Sequence, residues 1–487
     1  MVESNLQHLV APTAALLLAI IGWVYTVFTS PMGKLPGPLI TKFTDIPLRW
    51  YTITGQRPRW VHLLHEKYGP IVRVSPYESS VQDVAATQQM YRTKGEFLKS
   101  NFYDHIGVGV VSVFTTRSVD IHRRQRRLLS GEISESGLNK HIPVVESKIR
   151  LTIERMREEM QQRHTTDIFH WFLSMATDVI GELSFGESFR MLESGEETQY
   201  MRDLKAVAKS SGVRAAFPFL YRLSHYIKLP LFNAAVQGRQ RTTQYADESL
   251  QRHHKVVEEQ GGEAKPTLFS KLYNNTSVGE LTSKELRDNA MSYIIAGSDT
   301  TANTLTYLVW MVCRHSQIKN ELLRELRTVP EGFEYSDIKS LPYLNRIIEE
   351  SLRLYPAAPS GLPRVVPAGG VQFSGHYLPA GSTVAAQAWS MHRLPNIFPE
   401  PLKFDPSRWE SPTKAMKDAF VPFGGGSRVC LGLHLARMEL RLATARFFTA
   451  FPNARISSLE GFKDEDMEPE MYFLLTPKTH RCLLEVS

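Results

Sequence analysis

Spacing of the apolar residues divides the chain into a short apolar head and a long body whose periods are mostly helical. Leu9 to Phe28 carries no charged residue, and a run of roughly 20 such residues is long enough to cross a bilayer as one helix. Pro12 weakens its first turn, so its apolar body is Ala14 to Phe28. Helical spacing returns from Ile142 to Glu159, and again at Phe172, Ala176, Val179, Ile180 and Leu183 before Phe185-Gly186. Leu286 to His315 predicts a long, unusually apolar helix, opened by a capping-box pattern at Thr282-Ser283-Lys284-Glu285. Another helix is expected from Ser340-Leu341-Pro342, with Ser340 as N-cap, to Tyr355 ahead of Pro356. Strand signals are short. Ile71 to Val74 followed by Ser80 to Gln82 predicts a hairpin, and Val371-Gln372-Phe373 and Thr383-Val384-Ala385 are strand-like. Phe473 to Pro477 with Cys482 to Val486 predicts a closing hairpin with its turn around Leu475. Phe97 to Thr116, with Gly107 and Gly109, and Gly261-Gly262-Glu263 predict loops.

Composition narrows the class. At 487 residues, 42% hydrophobic and 22% charged, the chain is globular rather than disordered. Its net charge of +7 is spread out, with no basic stripe interleaved with aromatics, so a nucleic-acid partner is not indicated. Cys313, Cys430 and Cys482 are the three cysteines and form no spaced pair. Neither a disulfide framework nor a zinc cage follows, and a reducing compartment is the simpler reading.

The chemistry centres on Phe423-Gly424-Gly425-Gly426-Ser427-Arg428-Val429-Cys430-Leu431-Gly432. Successive glycines give a loop that turns tightly and lets backbone approach a flat partner. Leu433 to Leu440 reads as the helix that follows, so Cys430 lies at a helix N-terminus near Arg428. That setting favours thiolate. One thiolate suits a metal bound from one side, not a zinc or iron–sulfur cage. A nucleotide loop, or a turn around a structural cysteine, is the competing reading of this stretch alone.

The stretch matches F-x-x-G-x-R-x-C-x-G at every fixed position and closely resembles the haem-ligand loop of the cytochrome P-450 monooxygenases. Three further segments fit the family in the same order. His122-Arg123-Arg124-Gln125-Arg126 fits W/H-x-x-x-R. Ala296-Gly297-Ser298-Asp299-Thr300 fits the oxygen-binding helix. Glu350-Ser351-Leu352-Arg353 with Pro406-Ser407-Arg408-Trp409 fits the E-x-x-R and P-x-R-[FW] pair. Ser407 departs from the commoner Glu there. The resemblance implies a mainly α (α+β) cytochrome P-450 fold, with a long central oxygen-binding helix and small β-sheets. It implies haem (iron protoporphyrin) on Cys430, with Arg428 and Phe423 in the ligand loop and His122, Arg126 and Arg364 on the propionates. Ala296–Gly297 would leave room for dioxygen, Thr300 would relay protons, and Asp299 would partner it. Glu350, Arg353 and Arg408 would form a structural lock. Phe102, Tyr103, Val111, Ser292, Ile295, Ala296, Leu362 and Leu475 would line the substrate pocket.

The same resemblance implies O2, a hydrophobic small-molecule substrate and an NADPH–cytochrome P-450 reductase, the last facing the remaining arginines after His122. The overall style is similar to fungal secondary-metabolite members. Residues 1–30 are expected to be a membrane anchor and 31–487 the catalytic domain. Lys34, Lys42, Arg49, Arg57 and Arg59 follow the apolar run, with almost nothing basic before it. This places the body on the cytoplasmic side, and the Pro36-Gly37-Pro38 hinge resembles that of endoplasmic-reticulum members. On that topology the acceptor patterns at Asn274 and Asn275 stay unglycosylated. The aromatic segment Phe217 to Phe232, broken by Pro218 and Pro230, is either buried core or a lid that dips into the bilayer surface. A haem-thiolate isomerase or dehydratase on the same fold, and a haem-binding sensor, are the other classes open to this sequence.

Overall fold

The computed structural model describes residues 2–93, 95–227, 229–260, 267–269 and 281–486, with side chains from residue 13 onward except at positions 207, 208, 230, 231, 235 and 260. The expected loop at Gly261-Gly262-Glu263 and the acceptors Asn274 and Asn275 lie outside the described residues. At the centre runs α10 (Ser283–Arg314), buried on almost every side. Its start is the predicted capping box: Thr282 Oγ1 accepts from the Glu285 N–H, and Glu285 accepts from the Thr282 N–H at 2.9 Å. Along it lies α6 (Ile168–Phe185), itself buried along nearly its whole length and capped by the Asp167 carboxylate. The two approach closely at Gly297, where a Cβ would stand 2.7 Å from Ile180 Cγ1. Glycine at this position therefore serves helix contact as well as lining the cavity.

Around this pair pack α5 (Ile142–Arg163) and α12 (Leu433–Ala450), with α11 (Pro342–Leu354) against α10 and α12. On another side α7 (Gln199–Ala216) and α9 (Pro230–Gln260) pack on each other and on α10. Ser340 is not the cap of α11. Leu341 occupies that position without a side-chain bond, and the Glu325 carboxylate accepts from the Tyr343 and Leu344 N–H groups at 2.7 and 2.8 Å. A carboxylate supplied from another helix serves the exposed amides as well as a local cap does.

The sheets are small. β1 (Ile71–Arg73) and β2 (Glu78–Val81) form the predicted hairpin, with Ile71 opposite Val81. β7 (Thr383–Ala385) and β4 (Arg364–Val365) complete the four-stranded sheet. The closing hairpin does not form as expected. β10 (Leu475–Pro477) pairs back onto β9 (Pro469–Met471). β11 (Leu483–Val486) lies between β3 (Thr166–Asp167) and β8 (Ala454–Ile456). Nor is Phe97 to Thr116 all loop, since α3 (Phe102–Ile106) makes one short helix within it.

Among the described residues no helix is long and apolar enough to cross a membrane. α1 (Val2–Thr29) is helical, and its described side chains begin at Thr13. Leu16, Leu17, Leu18, Ile21 and Trp23 on it are exposed.

Candidate active site

The cysteine loop enters α12 beneath a cavity of about 660 Å³. The Cys430 N–H donates to the Phe423 carbonyl at 2.9 Å, closing the loop on itself. Gly424 and Gly426 take φ of 70° and 61°, where other residues are strained. A Cβ on Gly426 would stand 1.7 Å from the Tyr91 carbonyl oxygen, so only glycine fits. Phe423 and Arg428 also line the cavity. Cys430 is exposed to this cavity although it lies deep in the protein, whereas Cys482 is fully buried elsewhere. Burial raises the Cys430 thiol, and the Gly432 N–H and Arg126 only partly offset it. The backbone N–H at the helix end favours the thiolate as expected, and Arg126 rather than Arg428 is the cation that acts on the sulfur. Arg428 turns away to donate to the Thr116 carbonyl at 3.0 Å. A metal cation bound at the sulfur would favour the thiolate further.

A second set of charges is also incomplete. His122 and Arg126, one turn apart on α4 (Val119–Leu129), line the cavity together with Arg428 and Lys99. None of the four has a carboxylate partner among the described residues. Arg126 Nη1 donates to the Val429 carbonyl at 2.8 Å, and Lys99 Nζ donates to the Phe114 carbonyl. Burial, then neighbouring cations, lowers Lys99 well below its ordinary value, His122 to about 3 and Arg428 to about 10. Buried like charges without an acid are costly. A dianionic group bound here relieves all of them, and the two propionates of haem are such a group. Lys99 was invisible to pattern reading because it is one lysine in an apolar loop. Arg364 stands just behind this group, and its charge acts on Lys99 and Arg428. It does not line the cavity, but donates to the Tyr103 hydroxyl at 3.1 Å and lies over the Tyr91 ring at 5.0 Å.

From α10 come Ser292, Ile295, Ala296, Gly297, Thr300, Thr301 and Thr304, all on the cavity wall. Thr300 Oγ1 donates to the Ala296 carbonyl at 2.7 Å. Asp299 does not line the cavity. Its side chain leaves the helix about 100° from that of Thr300 and falls on the side packed into the protein. It lies buried toward Tyr200 of α7, and burial raises its pKa to about 7. Another acid does reach the wall. Glu439 of α12 accepts from Thr301 Oγ1 at 3.1 Å, and burial pushes its pKa up to about 8. In the sequence its only signal is an acid between Met438 and Leu440.

The rest of the expected pocket divides. Leu362 lines it, while Phe102, Tyr103, Val111 and Leu475 do not. Tyr103 is turned inward by the helical turn of α3, the Val111 N–H is held by Asp288, and Leu475 is buried in β10. Val110, Val113, Phe114, Phe473 and Leu474 stand there instead.

Behind the loop, Glu350 and Arg353 are fully buried and joined by two bonds of 2.8 Å. Arg353 also donates to the carbonyls of His392, Pro401 and Lys403. Arg408 reaches Glu350 at 3.3 Å, and Trp409 Nε1 donates to it at 2.9 Å. His392 links this lock to the cysteine loop. One ring nitrogen bonds to the Arg353 carbonyl, and Nε2 accepts from the Val421 N–H at 2.9 Å. Burial lowers this imidazole to about 3, so it stays neutral and keeps that acceptor.

A mainly helical body around one cavity-facing thiol, with basic side chains beside it that meet no carboxylate among the described residues, has the features of a haem-thiolate protein. The Cytochrome P450 family model matches residues 34–484. The chain is 47% identical over 479 residues to the cytochrome P450 monooxygenase tazI of Aspergillus terreus, covering 98% of each. It is 42% identical over 464 residues to the cytochrome P450 monooxygenase orf2 of Aspergillus niger, covering 95% of this chain and 94% of that one. The retinoic acid-bound cyanobacterial CYP120A1 superposes with a TM-score of 0.70 at 22% identity, over 87% of this chain and 93% of that chain, and so shares the fold. The chain belongs to the cytochrome P450 family. It is an oxidoreductase of the monooxygenase type, with haem as its cofactor.

Proposed function

We propose that the chain inserts one oxygen atom of O2 into a hydrophobic small molecule, an intermediate of secondary metabolism, with electrons from an NADPH–cytochrome P-450 reductase. One observation carries the site assignment: a single thiol faces the cavity beside four basic side chains that meet no carboxylate among the described residues. Cys430 would hold the iron, and His122, Arg126, Arg428 and Lys99 the propionates. When bound, haem supplies dioxygen activation and oxygen transfer, and thiolate ligation favours O–O cleavage. Thr300 holds a movable proton at its Oγ1 on the cavity wall, and Asp299 stands behind it as a buried acid that titrates near neutrality. Glu350, Arg353 and Arg408 position the loop and take no part in the chemistry. Arg123 and Arg127, exposed on α4, suit an acidic redox partner. Arg124 does not, because the buried Glu285 holds it, whereas the Asp120 beside Arg123 is itself exposed.

A membrane reading is supported by exposed apolar side chains that adjoin one another. Trp23 of α1 meets Phe43, and Ile46 and Trp50 of α2 (Ile46–Ile53) are exposed. α2 packs on α7, and beyond it Phe219 of α8 (Pro218–Leu223) and Tyr226 are 74% and 88% exposed. Such a surface suits an anchor and a partly inserted lid at the endoplasmic-reticulum membrane, with the body on the cytoplasmic side. Endoglycosidase-sensitive sugar on Asn274 or Asn275 in native membranes would reverse that orientation.

The test of the reaction is the ratio of product formed to NADPH consumed, with a reductase present, in wild type and Thr300→Ala. The substitution should keep haem and substrate binding but divert reductant to peroxide or water. Turnover by the wild type without NADPH or oxygen would refute the proposal. An unchanged ratio in the variant would remove Thr300 from it.

A further inference from the structure

The cavity continues between α7 and α9, and its wall changes character there. Toward Cys430 and α10 much of the lining is apolar, but at this end stand Arg214 and Ser211 of α7 and Arg239 of α9. Arg214 is buried. Its Nη2 donates to Ser211 Oγ at 2.8 Å and to the Ile106 carbonyl at 3.2 Å, while its Nε has no partner. The Tyr221 ring lies 5.8 Å from its Cζ. No carboxylate meets Arg214 or Arg239 among the described residues. Asp203, the acid on this part of the wall, is already taken, since Arg241 donates to its two oxygens at 2.6 and 2.7 Å.

These two arginines are separate from the cations near Cys430. The charges that lower Lys99, His122 and Arg428 come from that group and Arg364, not from Arg214 or Arg239. Burial first, and Arg239 against it, brings Arg214 down to about 10, which leaves it cationic at neutral pH. A guanidinium withdrawn from water needs acceptors for its donors. Here Nη2 is served by a hydroxyl and a carbonyl, Nε has no partner, and no carboxylate among the described residues meets the group. Planar guanidinium groups with free donors recognise carboxylates.

We propose that the substrate is an amphiphilic acid. Its carboxylate is bonded by Arg214 and Arg239 between α7 and α9, and its hydrocarbon part extends along the α10 wall toward Cys430. The inference rests on the reading of this cavity as the substrate site.

The test uses the haem-loaded protein and a panel of carboxylic acids, straight-chain and aromatic, each paired with its own methyl ester. Dissociation constants are read from the Soret shift on binding. At least one acid should bind roughly tenfold or more tightly than its ester, as a charge-assisted bond predicts. Arg214→Gln and Arg239→Gln should each bring that ratio toward one. Arg239 is only half-buried, so its variant keeps the test usable if Arg214→Gln does not fold. Three results would each overturn the proposal: esters binding as tightly as acids throughout, no acid binding at all, or a preference that survives both substitutions. The two levels of the argument separate cleanly. A wild type with a thiolate-type carbon monoxide band but no preference for acids removes the carboxylate pocket alone. A wild type without that band removes the haem-thiolate site beneath it.

Discussion

Thr301 donates to Glu439 at 3.1 Å, and this bond joins the central helix to the helix that follows the cysteine loop. Both residues line the cavity, and Glu439 is buried. Its pKa is raised from 4.5 to about 8 by burial, with the Thr301 bond pulling the other way. A raised acid favours the folded state fully below its unfolded pKa. That contribution falls as pH climbs through the folded value. The window here is about pH 4.5 to 8. Glu439→Gln should therefore soften the fall in Tm between pH 6 and pH 8.5, by roughly 1–3 °C relative to wild type. Parallel Tm profiles for the two proteins would mean that Glu439 does not titrate in this range.

Arg353 makes two bonds to Glu350 and three to backbone carbonyls, a fork that lysine cannot reproduce. Arg353→Lys should cost about 3–5 kcal/mol, the range for breaking a buried pair. Denaturant unfolding of the haem-loaded protein measures it. A loss under about 1 kcal/mol, typical of a surface pair, would contradict the lock.

Lys99 is held among like charges and waits for an anion. Lys99→Met should speed haem loss to apomyoglobin about tenfold, the scale of one charge-assisted bond. The haem-free protein should be no less stable than wild type, because burial and the neighbouring cations disfavour the ammonium that the substitution removes. Unchanged haem loss would remove Lys99 from the propionate site.

The sequence displays some of these features better than others, for physical reasons. The central helix declares itself because its cap, Thr282 to Glu285, is local and its apolar run is longer than any strand. The cysteine loop declares itself because Gly426 has no alternative against Tyr91. Contacts between distant segments leave no such trace. Glu325 caps α11, Trp409 bonds Glu350, and β11 pairs with residues around Thr166 and Arg455. Asp299 fails differently. Its neighbours Thr300 and Thr301 are on the cavity wall, and the motif does not say on which side of them the helix turns Asp299 inward.

The central claim is that Cys430 is the haem ligand, and the carbon monoxide spectrum of the reduced protein tests it most directly. Wild type should show the long-wavelength Soret band of thiolate ligation, and Cys430→Ser should lose it. The same band in the variant, undiminished, would contradict the account.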